Sequence, residues 1–398
     1  MNNESSMTTT ELRGSLSLSM VFFLRMLGLF LVLPVFALYA ENLRDATPLL
    51  TGIALGCYGL TQALFQIPFG VLSDRFGRKQ VITAGLLIFI TGSIIAGMAD
   101  SIYWVIAGRA LQGTGAIAAA IMALAADLTR ENQRSKAMAL IGISVGVAFA
   151  LAFVAGPVLD PLIGVPGLFF TSAGLALLAI IILYAIVPIP DTSVQQSEHQ
   201  PALKDILQIV SDKKLFRLNL SIFILHMLLV SSFIGIPLVL RDSVNMATSQ
   251  HWHIYLPVLL ISGVLMLPFL IYGEKYNKVN ILFTGGIMLM IVAQTGLYLW
   301  QSITAVFVVL VLFFLSFNYL EATLPALISK SAPVTKKGAA LGVYSTSQFV
   351  GTFIGGLAGG HIYGRFGYGS IFIFGGVVSL IWLIFVLATQ NPMQHNRL

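Results

Sequence analysis

The chain has 398 residues, 57% of them hydrophobic and only 10% charged, with a mean hydropathy of +0.90; a soluble domain carries about 25% charged residues, so this composition is that of a membrane protein. The net charge of +6 sits in short Lys/Arg clusters between long apolar runs, the pattern of cytoplasmic loops, and nucleic acid is excluded as a partner. The one cysteine, Cys57, lies inside an apolar run, so neither a disulfide framework nor a thiolate metal site can be built from the chain.

A helix needs about 20 apolar residues to cross a bilayer, and only helices or closed barrels satisfy their backbone there. Twelve runs of helical length are predicted, at 16–40, 48–72, 80–99, 102–127, 136–160, 166–188, 215–240, 251–273, 280–301, 302–328, 338–364 and 366–389. The first follows a polar stretch and is too long for the core of a cleaved signal, so it is read as a retained helix. It holds Arg25 near mid-depth, a candidate fixed cation of a central cavity, beside Met20, Phe22, Phe23 and Met26, which could line an apolar pocket. The second run ends in "GVLSDRFGRK", a tight charged turn. Gly77 permits the reversal, Arg75, Arg78 and Lys79 hold the loop inside, and Asp74 can face a helix N-terminus or an arginine. In the fourth run, "RALQGTGA" places Arg109 about two turns inside the membrane, where it should face protein, and Gly113 and Gly115 admit a neighbouring backbone.

The fifth run supplies Gly142, Gly146, Gly156 and Pro157; small residues four apart allow close packing and the proline removes a backbone bond, which predicts a tightly packed, bendable helix. A polar linker, 189–214, separates two halves, 1–188 and 215–398. Within it Leu203, Ile206, Leu207 and Val210 form one helical stripe, read either as a short helix on the inner membrane surface or as an unstructured loop end. In the second half His226 lies near mid-depth and Glu321 about two turns from the cytoplasmic end. Burial disfavours the charged form of both, so each is a candidate to load and release a proton, or else a static partner in the core. Only Gln301 and Ser302 mark the division between the ninth and tenth runs.

Charge placement tests the count independently. With both termini cytoplasmic, 17 of the 22 Lys and Arg fall on the inner side and 3 on the outer, with Arg25 and Arg109 inside spans. The halves also repeat: a shift of 200 residues sets "IPFGVLSDRFGRK" over "LPFLIYGEKYNKV", matching Pro68 to Pro268, Asp74 to Glu274 and Arg78 to Lys278, and carries Gly142 to Gly342 and Gly156 to Gly356. Duplicated halves flank the substrate site of many secondary transporters.

On these motifs the chain resembles the major facilitator superfamily. Gly70, Asp74, Arg75, Gly77, Arg78 and Lys79 fill every position of that family's loop 2–3 signature, and Arg109, Gln112, Gly113 and Gly115 match its fourth-helix pattern. The fifth run resembles the antiporter signature in part, since Asp160 and Pro161 stand where paired glycines are expected. Longer stretches, such as "LRMLGLFLVLPVFALYA" and "GRALQGTGAIAAAIMALAADLTRENQRSKAMA", are similar to its bacterial, proton-coupled drug-efflux branch. The resemblance implies an all-α membrane fold of two pseudo-symmetric six-helix bundles in the bacterial inner membrane. It also implies a monomer surrounded by lipid, handling protons and a small lipophilic or cationic substrate. The loop signature with Asp127 is read as a conformational switch that stabilises one end state, rather than only a charged turn that fixes topology: the resemblance implies that Asp74 meets the N-terminal end of the eleventh helix in the outward-open state and that Arg78 can pair with Asp127. A soluble domain carried after the twelfth helix in that branch is expected to be absent, because the chain stops at Leu398. A proton-coupled uptake symporter for a sugar, amino acid or organic anion shares the fold, and a non-transporting membrane sensor is the rival of another class. No catalytic, phosphate-loop or metal-ligand constellation is present, so neither an enzyme nor a cofactor is expected.

Overall fold

The computed structural model describes residues 6–189, 203–300, 302–333 and 336–389. The predicted linker between 190 and 202, the side chains of Leu203 and Ile206 and the terminal 390–398 lie outside these. Among the described residues fourteen α-helices follow one another: α1 Thr9–Phe30, α2 Phe36–Ala40, α3 Pro48–Phe76, α4 Arg78–Gly97, α5 Ile102–Thr114, α6 Ala118–Asp127, α7 Arg134–Ala185, α8 Leu203–Ser211, α9 Lys213–Leu238, α10 Trp252–Lys275, α11 Val279–Leu299, α12 Ile303–Ser331, α13 Lys337–Phe366 and α14 Gly369–Thr389. The only strand-like pairing among those residues is one bridge between Arg44 and Ser101.

The helices form two compact units, Met1–Ala46 with Cys57–Gln200 and Thr47–Gly56 with Pro201–Leu398. Two boundaries depart from the predicted 1–188, 189–214 and 215–398. The first turns of α3 group with the second unit, and so does α8, which packs on α9 and α13 rather than standing apart as linker. On α8, Leu207 and Val210 of the predicted stripe are exposed while Ile209 is buried. In the first unit α1 packs on α7, and α4 on α5 and α7; in the second α9 packs on α13, and α11 on α12 and α14. The cores are apolar, with Phe89, Phe153 and Phe169 wholly buried in one and Phe233, Phe313 and Trp382 in the other. Outward surfaces are also apolar, with Leu162, Val264 and Ile271 all exposed, as lipid-facing helices require.

Local chemistry explains where the helices depart from the predicted runs. The first begins at Thr9, not 16, because Thr8 and Glu11 form a capping box: Thr8 Oγ1 accepts from the Glu11 amide at 3.2 Å and Glu11 Oε2 from the Thr8 amide at 2.7 Å. It stops at Phe30, where a turn through Pro34 leads into α2, because proline has no amide to continue the ladder. The fourth run is broken between α5 and α6 at Gly115, whose ψ of 57° ends the ladder. Asp212 starts α9 two residues early, its Oδ1 accepting from the amides of Lys214 and Leu215, each at 2.9 Å.

Among the described residues ten helical stretches are long and apolar enough to cross a membrane. One of them, Glu131–Ala185, has 55 residues and would reach about 82 Å if straight. It is two helices meeting at Gly164, where φ is +67°. The thirty-residue α13, rich in glycine, is long enough to span but falls outside the ten.

Candidate functional site

At the end of the first unit that carries the loop signature, Gly77 joins α3 to α4 with φ +94°, a conformation that side chains oppose. This reversal sets Arg78 among three acceptors. It pairs with Asp74 one turn earlier, donates from Nη1 to Ser73 Oγ at 2.8 Å and from Nε to Asp127 Oδ2 at 3.1 Å at the foot of α6. Lys79 Nζ donates to the Val187 carbonyl at 2.6 Å, tying α4 to the end of α7. Arg75 is exposed at the last turn of α3, where a cation complements the helix C-terminus. Gly70 faces Ala119 at ordinary van der Waals separation.

Beside this cluster lies an acid that sequence reasoning missed. Glu11, 5% exposed, accepts from the Arg130 amide at 2.9 Å, from its Nε at 2.8 Å and from its Nη2 at 3.0 Å, and Arg130 Nη2 also reaches the Ser6 carbonyl at 2.9 Å. The degraded copy of the motif in the second unit is simpler. Glu274 meets Lys330 at 3.4 Å with both side chains about two-thirds exposed, a pair of the kind worth little. The 200-residue shift carries Arg130 to Lys330 but Asp127 to Leu327, so the second acid is lost.

The fourth-helix signature is buried, as its charge requires. Arg109 Nη1 donates to Gln112 Oε1 at 3.0 Å, Gln112 Nε2 donates to Ser93 Oγ at 2.7 Å, and the guanidinium lies 5.4 Å from the Tyr58 ring centre. A Cβ on Gly113 would collide with Thr61 Oγ1 and the Tyr58 carbonyl, so α5 meets α3 backbone to backbone there. The break at Gly115 has a function in packing: its carbonyl accepts from Arg25 Nη2 at 2.7 Å. Arg25 was expected in a cavity. It is instead wholly buried in the first unit, with Nη2 also donating to Gln62 Oε1 at 3.1 Å and its guanidinium 5.5 Å from the Phe89 ring centre. Gln62, which in turn accepts from the Tyr58 hydroxyl at 3.1 Å, could have been found as a polar group one turn from Tyr58 in an apolar run.

The fifth-run glycines divide. Gly156 lies against the Leu31 carbonyl and Pro34 of the turn after α1, and Pro157 is buried beside it. Gly142 and Gly146 were expected in close packing, but both are exposed and a Cβ on either would meet nothing within 4 Å.

In the second unit the two titratable groups come together. Gln348 of α13 lies between His226 of α9 and Glu321 of α12, its Nε2 2.8 Å from His226 Nε2 and 3.4 Å from Glu321 Oε1. The other faces of the two groups look at each other, His226 Nδ1 lying 3.8 Å from Glu321 Oε2. Phe317 packs edge-on against the His226 ring at 5.8 Å. His226 is 11% exposed by side chain and Glu321 35%, and among the described residues no lysine or arginine pairs with the carboxylate. Glu321 lies ten residues from the end of α12, about three turns rather than two, because the helix runs on to Ser331. Sequence reasoning passed over Gln348, an uncharged amide among the serines and threonines of "YSTSQF".

A family model, Major Facilitator Superfamily, matches residues 18–320 and 218–397. The inner membrane transport protein YajR of Escherichia coli K12 is 45% identical over 393 residues, 98% of this chain and 86% of that protein. The multidrug resistance protein MdtH of Aeromonas hydrophila is 26% identical over 85% of this chain and 84% of its own. Among solved structures, a bacterial homolog of the human lysosomal transporter Spinster, inward-facing and occupied, superposes with a TM-score of 0.78 at 13% identity, covering 96% of this chain and 97% of that one.

Proposed function

Since the chain belongs to the major facilitator superfamily, whose members matched here are transporters and not enzymes, we propose that it expels a small lipophilic or cationic compound across the inner membrane in exchange for protons, by alternating access. Twelve crossing segments with both termini in the cytoplasm are supported by the ten qualifying stretches once Glu131–Ala185 is divided at Gly164 and α13 is counted. The same topology puts 17 of 22 basic residues inside. The name of the Aeromonas relative supports efflux, and that of the E. coli relative the inner membrane.

The observation that carries the reading is Glu321. A carboxyl group inside a spanning helix, a third exposed, bonded to an amide and facing a histidine rather than paired with a fixed cation, is free to change its protonation as the halves alternate. Uptake by symport is the second reading; Arg25 and Arg109, the cations that would suit an anionic solute, are buried against Gln62, the Gly115 carbonyl and Gln112, which favours efflux over it.

Purified protein in acid-loaded liposomes holding a pH-sensitive dye separates the two. Ethidium, a lipophilic cation, added outside is expected to alkalinise the lumen. Glu321→Gln is expected to lose this proton flux and keep solute exchange down a gradient, because its neutral side chain mimics a permanently loaded carrier. Wild-type flux in the variant removes Glu321 from the mechanism.

A further inference from the structure

The bridge in the second unit has more content than three polar groups in contact. An ionised carboxylate accepts hydrogen bonds and cannot donate, so the Gln348 atom facing Glu321 Oε1 must be its NH₂ group while Glu321 is charged. The same nitrogen lies 2.8 Å from His226 Nε2. Two donors cannot face each other, so Nε2 of the neutral ring must be the acceptor and the ring proton must sit on Nδ1. Nδ1 is the atom that lies 3.8 Å from Glu321 Oε2, beyond hydrogen-bond reach, and the Ile222 carbonyl one turn earlier on α9 is the backbone acceptor beside the ring. Both protons of the Gln348 NH₂ group then find acceptors, and the Nδ1 proton is turned toward the carboxylate.

Protonation of Glu321 at Oε1 reverses each role. Oε1 becomes a donor facing the Gln348 NH₂, and the conflict is relieved when the carboxamide turns half a revolution. The Gln348 oxygen then accepts from Glu321 Oε1–H on one side and requires His226 Nε2–H on the other. The balance is one proton taken from water by Glu321, with loss of its negative charge. The ring exchanges its Nδ1 proton for one on Nε2 through water, with no net gain.

We propose that Gln348 is the positioning residue of the proton-loading site: its carboxamide fixes the tautomer of His226 according to whether Glu321 carries a proton, so that the three side chains change state together. This rests on the reading of Glu321 as the proton carrier and adds to it the group that senses loading. The neighbouring helices bring little else. From α13 comes Tyr344, one turn before Gln348 on the same face, its buried hydroxyl without a hydrogen-bond partner. From α10 come Glu274 and Lys275 at its far end, Glu274 being paired with Lys330 nine residues beyond Glu321, about 13 Å along the helix. No charged residue lies on α11, and the basic residues of α9, Lys213, Lys214 and Arg217, lie in its first turns, nine or more residues before His226.

The test is the tautomer itself. Full-length protein labelled with ¹³C,¹⁵N-histidine in lipid nanodiscs is titrated by NMR, with the His226 signal identified by its loss in His226→Gln. The expected result is the Nδ1–H form at alkaline pH, passing to the Nε2–H form as the sample is acidified. Gln348→Met, close in shape but unable to bridge, is expected to show a tautomer that does not respond to pH, and Glu321→Gln, which leaves Gln348 in place, the same. A wild-type ring in the Nε2–H form throughout, or a wild-type response in Gln348→Met, overturns the proposal. Proton flux by the same purified proteins in sealed liposomes keeps the two ideas apart. A tautomer response without flux retains the role of Gln348 and discards proton coupling, whereas flux without a response does the reverse.

Discussion

Arg130 and Glu11 show how much of the contact between the start of α1 and the loop after α6 depends on one carboxylate. With three bonds from Arg130 and one from the Thr8 amide, Glu11 is fully used as an acceptor. Its replacement by Ala leaves the Arg130 amide and the first turn of α1 short of partners, and a lost bond to a charged group costs about 1.5–3 kcal/mol. Glu11→Ala is expected to lower the thermal midpoint in detergent clearly, Arg130→Ala less, and the double variant no more than Glu11→Ala alone. Additive losses would show that the two side chains act separately. Asp74 has a different role. Its partner Arg78 keeps Asp127 and Ser73 when Asp74 is lost, so Asp74→Asn is expected to leave stability within about 0.5 kcal/mol of wild type, read from the thermal midpoint. The same variant is expected to slow turnover, read by solute exchange in liposomes, with a shift in the accessibility of cysteines placed at the cytoplasmic and outer ends of the spanning helices. Unchanged accessibility would remove Asp74 from the switch.

At the scale of the helix, the Asp212 cap separates α8 from α9, and its two amide bonds hold the junction. An N-cap aspartate is worth about 1 kcal/mol, so Asp212→Ala is expected to fray the first turn of α9 and speed proteolytic cleavage near residue 212, while Asp212→Ser restores the wild-type pattern. Long apolar runs made most of the helices legible from the sequence, because a spanning helix needs little more than length and hydropathy. The breaks were not legible. Gly115 and Pro34 lie in runs as apolar as their neighbours, and what ends the helix at Gly115 is a carbonyl taken up by Arg25, ninety residues away. The same limit applies to the site. Glu321 and His226 stood out as ionisable groups in apolar surroundings, but Gln348 carries no charge and acquires its meaning only from the two side chains it lies between.

For the whole chain the charge asymmetry makes a prediction that hydropathy cannot. Alkaline-phosphatase fusions within the 189–214 linker or after Leu398 are expected to be inactive and one after Asn245 active, since the enzyme folds only outside the cytoplasm; activity at Leu398 would refute an even number of crossings. A further consequence concerns synthesis. Glu11 and Arg130 are 119 residues apart, so at ribosomal rates of roughly 5–20 residues per second the acid of the first helix waits about 6–24 s for its cation to be made. During that interval the nascent first helix has its own capping box to hold its start, and no partner for the charge. Its anchoring is completed only when the loop after α6 arrives, which makes the emergence of Arg130 the point at which the first half of the newborn protein can close on itself.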